Sequence, residues 1–131
     1  MTRGRVAHLA TADQYARPHA IPVVFVWVEP YLYTPLDRKR KRSGDPRDLR
    51  RAKDIEANGR VSVVVDHWDE DWAELEWVRV DGTAEILDSG AERDLAAAGL
   101  LAKYPQYRDL PLEACPVVKV TAERVTEWPE A

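Results

Sequence analysis

The residues with the clearest chemistry are Arg38-Lys39-Arg40-Lys41-Arg42, five consecutive cations placed just after the β-prone segment Tyr31-Leu32-Tyr33-Thr34. Nine of the 19 lysines and arginines fall between Leu36 and Lys53, although the formal net charge is −4. The cluster is therefore a local device, not a by-product of a basic composition, and the chemistry it suits is anion binding. Other candidates are weaker. His8, His19 and His67 sit on separate segments, and single histidines in or beside strands are more often structural than metal ligands. Asp66, Asp69, Glu70 and Asp71 offer a cation site or a general base. The commoner use of such a cluster is a solvated turn, paired with the basic segment of the same or a second chain. Cys115, the lone cysteine, precedes Pro116 and has no motif around it, which favours a partly buried structural thiol over a nucleophile.

Missing motifs narrow the chemistry further. No Gly-rich phosphate loop, Gly-x-Ser-x-Gly elbow, His-Glu-x-x-His or cysteine pair occurs, so nucleotide hydrolysis, serine-esterase chemistry and structural zinc have no sequence support. The 131 residues suit one domain, 1–131, able to bury roughly 68–70% of its unfolded-chain surface. No stretch approaches the ~20 apolar residues of a membrane helix. A single cysteine and no signal-peptide pattern point to a reducing cytoplasm.

The elements that must position the basic run are mainly strands. Period-two, β-branched segments predict strands at Val6 to Thr11, His19 to Val28, Tyr31 to Thr34, Val61 to Asp66, Leu75 to Leu87 and Val117 to Thr121. Pro22 inside the second strand requires an edge or a bulge, because proline cannot donate to a ladder. Gly82 marks a bulge or bend in the fifth. Asp45 and Pro46 open a helix to about Ala57, ended by Asn58-Gly59. Ser89 and Glu92 form a capping box for a second helix, which runs to Lys103. Six short strands with two inserted helices suggest a closed or partly closed barrel, with a sandwich as the alternative. Five tryptophans suit a homodimer interface or plugs at the barrel ends.

Several segments together resemble the pyridoxamine 5′-phosphate oxidase-like, flavin-reductase split β-barrel superfamily. The opening consists of Arg5-Val6-Ala7-His8-Leu9-Ala10-Thr11 and Arg17-Pro18-His19-Ala20-Ile21-Pro22-Val23-Val24-Phe25. Leu32-Tyr33-Thr34 and Asp37-x-Lys39-x-Lys41-Arg42 are similar to the strand and phosphate-binding turn of its actinobacterial deazaflavin-dependent branch. The pattern continues in Asn58-x-Arg60-Val61-Ser62-Val63-Val64-Val65-Asp66-His67 and in Tyr104-Pro105-Gln106-Tyr107. Its most specific part is Asp69-Glu70-Asp71-Trp72-x-x-Leu75-x-Trp77-Val78-Arg79-Val80-Asp81-Gly82. The chain departs from the pattern in a longer segment 43–48 and in Gly59, where a proline is common.

The resemblance implies a mainly β (α+β) fold: a homodimer of six-stranded antiparallel split β-barrels, with cofactor grooves at the subunit interface. The implied cofactor is the deazaflavin coenzyme F420, with FMN in related branches. By position, Lys39 and Lys41 are similar to the basic residues that hold the cofactor phosphate, and Arg42 and the Thr34 hydroxyl are their candidate neighbours. Residues 39 and 41 project to one side of an extended turn, which suits that role. The backbone of Ile21, Pro22 and Val23, continuing to Phe25, would lie along the ring, where Pro22 leaves polar groups for the ligand. The implied activity is an F420-dependent oxidoreductase passing a hydride to an unsaturated small-molecule substrate. No catalytic side chain is assigned, and no metal. The C-terminal arginine-histidine pattern of true pyridoxamine phosphate oxidases is absent, so that specific activity is not expected. An FMN-binding flavoprotein and a non-catalytic cofactor carrier are the alternatives. A nucleic-acid module, built on the basic run and the aromatics, is disfavoured by the acidic composition.

Overall fold

Alternating apolar residues set the strands, and the computed structural model shows how they pair. It describes residues 4–37, 45–109, 112 and 115–130. Among these, seven strands and two α-helices follow in the order β1 (Ala7–Ala12), β2 (Pro18–Val23), β3 (Val26–Val28), β4 (Tyr31–Pro35), α1 (Arg50–Ala57), β5 (Arg60–His67), β6 (Glu76–Leu87), α2 (Ala91–Lys103) and β7 (Val117–Trp128). All pairings are antiparallel, in the sheet order β2-β1-β5-β6-β7-β4-β3.

That order forces curvature. β2 and β3 occupy opposite edges of the sheet, yet only Val24 and Phe25 separate them in the chain. The step from Val23 to Val26 spans at most about 11 Å of extended chain, so the sheet curls until its two edges meet at this seam. The expected strand from His19 to Val28 is thus one bent segment serving both edges, and this is why seven strands stand where six were expected. Pro22 lies in β2, which pairs only with β1, and an edge is where a strand tolerates proline.

Inward residues of this curl form the core. Leu9, Phe25, Leu32, Leu36, Val63, Val80, Val118 and Val120 are almost wholly buried, each worth about 1.5–3 kcal/mol of transfer free energy. α1 covers one side with Ala52 and Ile55. It also carries the buried Asp54, which accepts hydrogen bonds from Thr11 Oγ1 at 2.7 Å and from Arg50 Nε at 3.1 Å. α2 packs a second cluster around Leu100, Tyr104, Tyr107 and Leu112.

Four further expectations change. The last strand extends to Trp128 because β6 offers it pairing partners as far as Trp77, with a register shift at Asp81/Gly82. A Cβ at Gly82 would lie 2.0 Å from the Thr121 carbonyl oxygen, so only glycine allows the close approach at this bulge. The helix expected from Pro46 begins as a 3-10 turn, Pro46–Asp48, capped by Asp45, and the α-helix starts only after the extended Leu49. The Ser89 capping box does not form. Gly90, at φ 103, is the N-cap without a side-chain bond, and Glu92 instead meets Tyr33 Oη at 2.7 Å and Lys119 Nζ at 2.8 Å. Of the tryptophans, Trp27 packs on the core, while Trp68, Trp72 and Trp128 are exposed and do not plug the barrel.

Candidate functional site

The seam creates the site. On one side of Val24-Phe25 runs the free edge of β2, and facing it is the end of β4, where the chain heads for the basic run. Between them lies a cleft of about 160 Å³, walled by Pro22, Val23 and Val24 on one side and by Thr34, Pro35 and Asp37 on the other, with Arg51 of α1 reaching in.

Two polar groups in this cleft have no protein partner among the described residues. Thr34 is fully buried, and its Oγ1 bonds nothing. Arg51 is nearly buried, its side chain 11% exposed, and its Nε is likewise unpaired. Its Nη2 donates to the Pro35 carbonyl at 3.2 Å and lies 3.8 Å from Asp37 Oδ1. Burial pulls the Arg51 guanidinium below its ordinary pKa, and the neighbouring Asp37 charge opposes that shift. Asp37 is in turn held by Tyr107, whose hydroxyl donates to Oδ2 at 2.6 Å. Burial, followed by that bond to Asp37, drives the Tyr107 phenol far above its ordinary pKa, so it remains a donor.

An unmade hydrogen bond on a buried polar group costs about 1–3 kcal/mol. Thr34 and Arg51 both line this cleft, and each carries a buried donor without a partner among the described residues; such donors suit an oxyanion, and the planar Arg fork suits phosphate in particular. The volume fits the phosphate end of a ligand; whole small-molecule sites run to roughly 300–1,000 Å³. Phosphate-bearing cofactors fit these residues at that end.

Among the residues expected from sequence, Thr34, Pro22 and Val23 come together in the cleft. Ile21 stands just outside, packed against the main core. Lys39, Lys41 and Arg42 lie outside the described residues; their run joins Asp37, at the cleft wall, to Asp45. Arg51 and Asp37 were missed as site residues. The signal for Arg51 was its spacing: it stands four residues before the buried Ile55, on the inward side of α1. Asp37 opened the motif Asp37-x-Lys39-x-Lys41-Arg42, similar to a phosphate-binding turn, but the sequence assigned it no role of its own.

The weaker candidates resolve into structure. His8 Nδ1 sits 3.9 Å from Asp66 Oδ1 and His67 Nε2 3.8 Å from Asp69 Oδ2, both exposed pairs. Asp69 and Asp71 accept from the backbone of the turn that carries them. Among the described residues no three His, Cys, Asp or Glu side chains gather around a possible metal position. Burial pushes the Cys115 thiol up to about 11, which keeps it protonated and unreactive. No described helix is long and apolar enough to cross a membrane.

Solved structures share this fold at low identity. HutZ, the heme storage protein of Vibrio cholerae, superposes with a TM-score of 0.75 at 16% identity, over 95% of this chain and 86% of that one. A conserved hypothetical protein of Mycobacterium tuberculosis gives 0.76 at 17%, over 97% and 78%. A FAD-binding protein of Mesorhizobium loti gives 0.70 at 23%, over 96% and 84%. No curated protein matches the chain significantly. The sequence itself fits one family model, that of pyridoxamine 5′-phosphate oxidase, over residues 2–129. With nearly its whole length matched, and a curled antiparallel sheet shared with split-barrel proteins, the chain belongs to the pyridoxamine 5′-phosphate oxidase family.

Proposed function

We propose that this protein is an oxidoreductase that binds a phosphate-bearing isoalloxazine-type cofactor in the cleft beneath β2, with coenzyme F420 as the preferred ligand. The observation that carries this reading is the pair of unpaired buried donors, Thr34 Oγ1 and Arg51 Nε, in one cleft beside a sheet edge. They would hold the cofactor phosphate, assisted by Lys39, Lys41 and Arg42 of the adjoining run. The free edge of β2 would supply backbone groups along the ring, and Pro22, having no N–H, contributes only its carbonyl there. When bound, such a ring supplies hydride transfer to or from an unsaturated small molecule.

The chain's own contribution is placement. The cleft is too small for a tricyclic ring, so the ring would lie along the β2 edge and need a second wall. A second copy of the chain would provide it, which makes the working unit a homodimer. Holding donor and acceptor carbons in contact and excluding water from them is where much of the rate would originate. The Tyr107 phenol, committed to Asp37, is not an available proton donor.

FMN is the second reading, supported by the FAD-binding Mesorhizobium loti protein of the same fold. Heme storage, the property named for HutZ, has less support here, because no histidine lines the described cleft to serve as an axial ligand. Fluorescence titration of the purified protein with F420 and with FMN tests the proposal. Micromolar binding of at least one is expected, weakened about 100-fold in Arg51→Ala by loss of a charge-assisted bond. Failure of both to bind would sink it.

A further inference from the structure

We propose that Arg5 and Lys103 form a second oxyanion site at the seam, apart from the cleft, for the carboxylate or phosphate group of a small molecule. Both cations lie against the Tyr104 ring, the Arg5 guanidinium carbon 4.5 Å and the Lys103 ammonium 5.3 Å from its centroid. Lys103 Nζ also sits 3.6 Å above the Phe25 ring and donates to the Phe25 carbonyl at 2.9 Å. Tyr104 ties the group together, because its hydroxyl donates to the Arg5 carbonyl at 2.9 Å and accepts from Phe25 N at 3.3 Å.

What this group lacks is a counter-charge. The other poorly exposed cations each have one: Arg51, 11% exposed, lies 3.8 Å from Asp37, Arg93, 8% exposed, lies 2.8 Å from Asp94, and Lys119, 16% exposed, lies 2.8 Å from Glu92. Such pairing is the rule when a charge leaves bulk water. Among the described residues neither Arg5 nor Lys103 has a carboxylate within 4 Å. The charge that Lys103 does feel is that of Arg5, which joins burial in pulling the ammonium down to about 8. Donors are open as well. The ammonium has three N–H groups and gives one to Phe25 O, and the Arg5 side chain donates to no described residue, which leaves its planar fork for the oxygens of an anion. A carboxylate or phosphate entering beside the two cations would supply the missing charge and let Lys103 keep its proton. Val24 lines the cleft and Phe25 follows it, so the anion would bind beside the segment that walls the cleft, whatever the cleft itself holds.

Lysine labelling reads this site directly. The purified protein is acetylated with the N-hydroxysuccinimide ester of acetate at about pH 8, where the Lys103 amine is partly free, and the rate at each lysine is followed by peptide mass spectrometry. Only the free amine reacts, so an anion that keeps Lys103 protonated slows its labelling. Benzoate and inorganic phosphate are each added at about 10 mM, with ionic strength matched by sodium chloride so that general screening is equal in every sample. At least one of them is expected to slow Lys103 about fivefold, with the exposed Lys53 unchanged. An effect of benzoate alone assigns a carboxylate ligand, and an effect of phosphate alone a phosphoryl ligand. Arg5 is exposed, so Arg5→Gln should fold; it should reduce the slowing to less than about twofold, whereas Arg5→Lys, which retains the charge, should keep most of it. No slowing by either anion overturns the site. So does slowing that persists in Arg5→Gln, which would place the anion elsewhere, or equal slowing of Lys53, which would make the effect non-specific.

Discussion

Two stretches of one bent segment, Pro22 to Val24 and Phe25, treat their polar groups in opposite ways. At Phe25, where the barrel closes, the backbone is answered from α2: Tyr104 Oη accepts from Phe25 N at 3.3 Å, and Lys103 Nζ donates to Phe25 O at 2.9 Å. Tyr104 Oη also donates to the Arg5 carbonyl at 2.9 Å, and the Lys103 ammonium sits 3.6 Å above the Phe25 ring. Beside Pro22 to Val24, the Thr34 hydroxyl and Arg51 Nε are buried and unanswered. The seam commits its donors and acceptors to closing the fold. The cleft keeps its donors open at a cost in stability, which is the arrangement expected of a binding site.

The contrast can be broken by substitution. The largest effect on stability is expected at the seam. Tyr104→Phe leaves the buried Phe25 N–H without a partner and should lower unfolding free energy by about 2 kcal/mol, read from urea denaturation, with cofactor affinity unchanged. A loss of affinity equal to that of an Arg51 variant would show that seam and cleft are one unit. Thr34→Val, at the cleft, should act with opposite signs on the two readouts. Removing an unpaired buried hydroxyl at nearly constant volume should raise stability by about 1 kcal/mol, while cofactor affinity falls about fivefold. A destabilised Thr34→Val would mean that the hydroxyl already has a structural use.

The smallest effect is one of pH. Burial, with the Arg5 charge beside it, pulls the Lys103 ammonium from its ordinary 10.5 down to about 8. The cation–ring contact and the bond to Phe25 O favour the charged form, but they do not outweigh its loss of hydration. With the folded pKa below the unfolded one, the unfolded chain binds more protons between about pH 8 and 10, so stability should rise with pH across that window. Above it, the tyrosines work in the other direction. Tyr33, Tyr104 and Tyr107 have raised folded pKa values, so their contribution is lost as the pH climbs past 10. Thermal melts of the wild-type protein and Lys103→Met between pH 7 and 10 would show the rise in the first and not in the second.

How far the sequence could be read depended on the range of the interactions. β5 and α2 were legible because their patterns are local: a nearly unbroken β-branched run from Val61 to Val65, although only alternate residues of it prove fully buried, and an apolar helix ending at Lys103. The β6 bulge was legible because Gly82 interrupts a long alternating run. The break at Val24-Phe25 was not, since both residues continue the β-prone pattern and only contacts with Lys103 and Tyr104, almost 80 positions away, bend the chain there. The false capping box has the same cause: Glu92 found better partners in Tyr33 and Lys119 than in its own helix. Within the site, Thr34 and the Pro22 edge were legible from motif and proline chemistry, while Arg51 was obscured by the neighbouring cations.

Composition and periodicity alone therefore determined that the chain is mainly β, that it carries two helices and that a concentrated positive charge follows the strand ending at Thr34, because each of these is written in neighbouring residues. Only the tertiary structure decided that Arg51 and Thr34 open onto one cleft, and that Asp37 faces it from the strand end held by Tyr107. Those juxtapositions join α1, β4 and the turn after α2, and burial and unpaired donors exist only once distant segments have excluded water from one another.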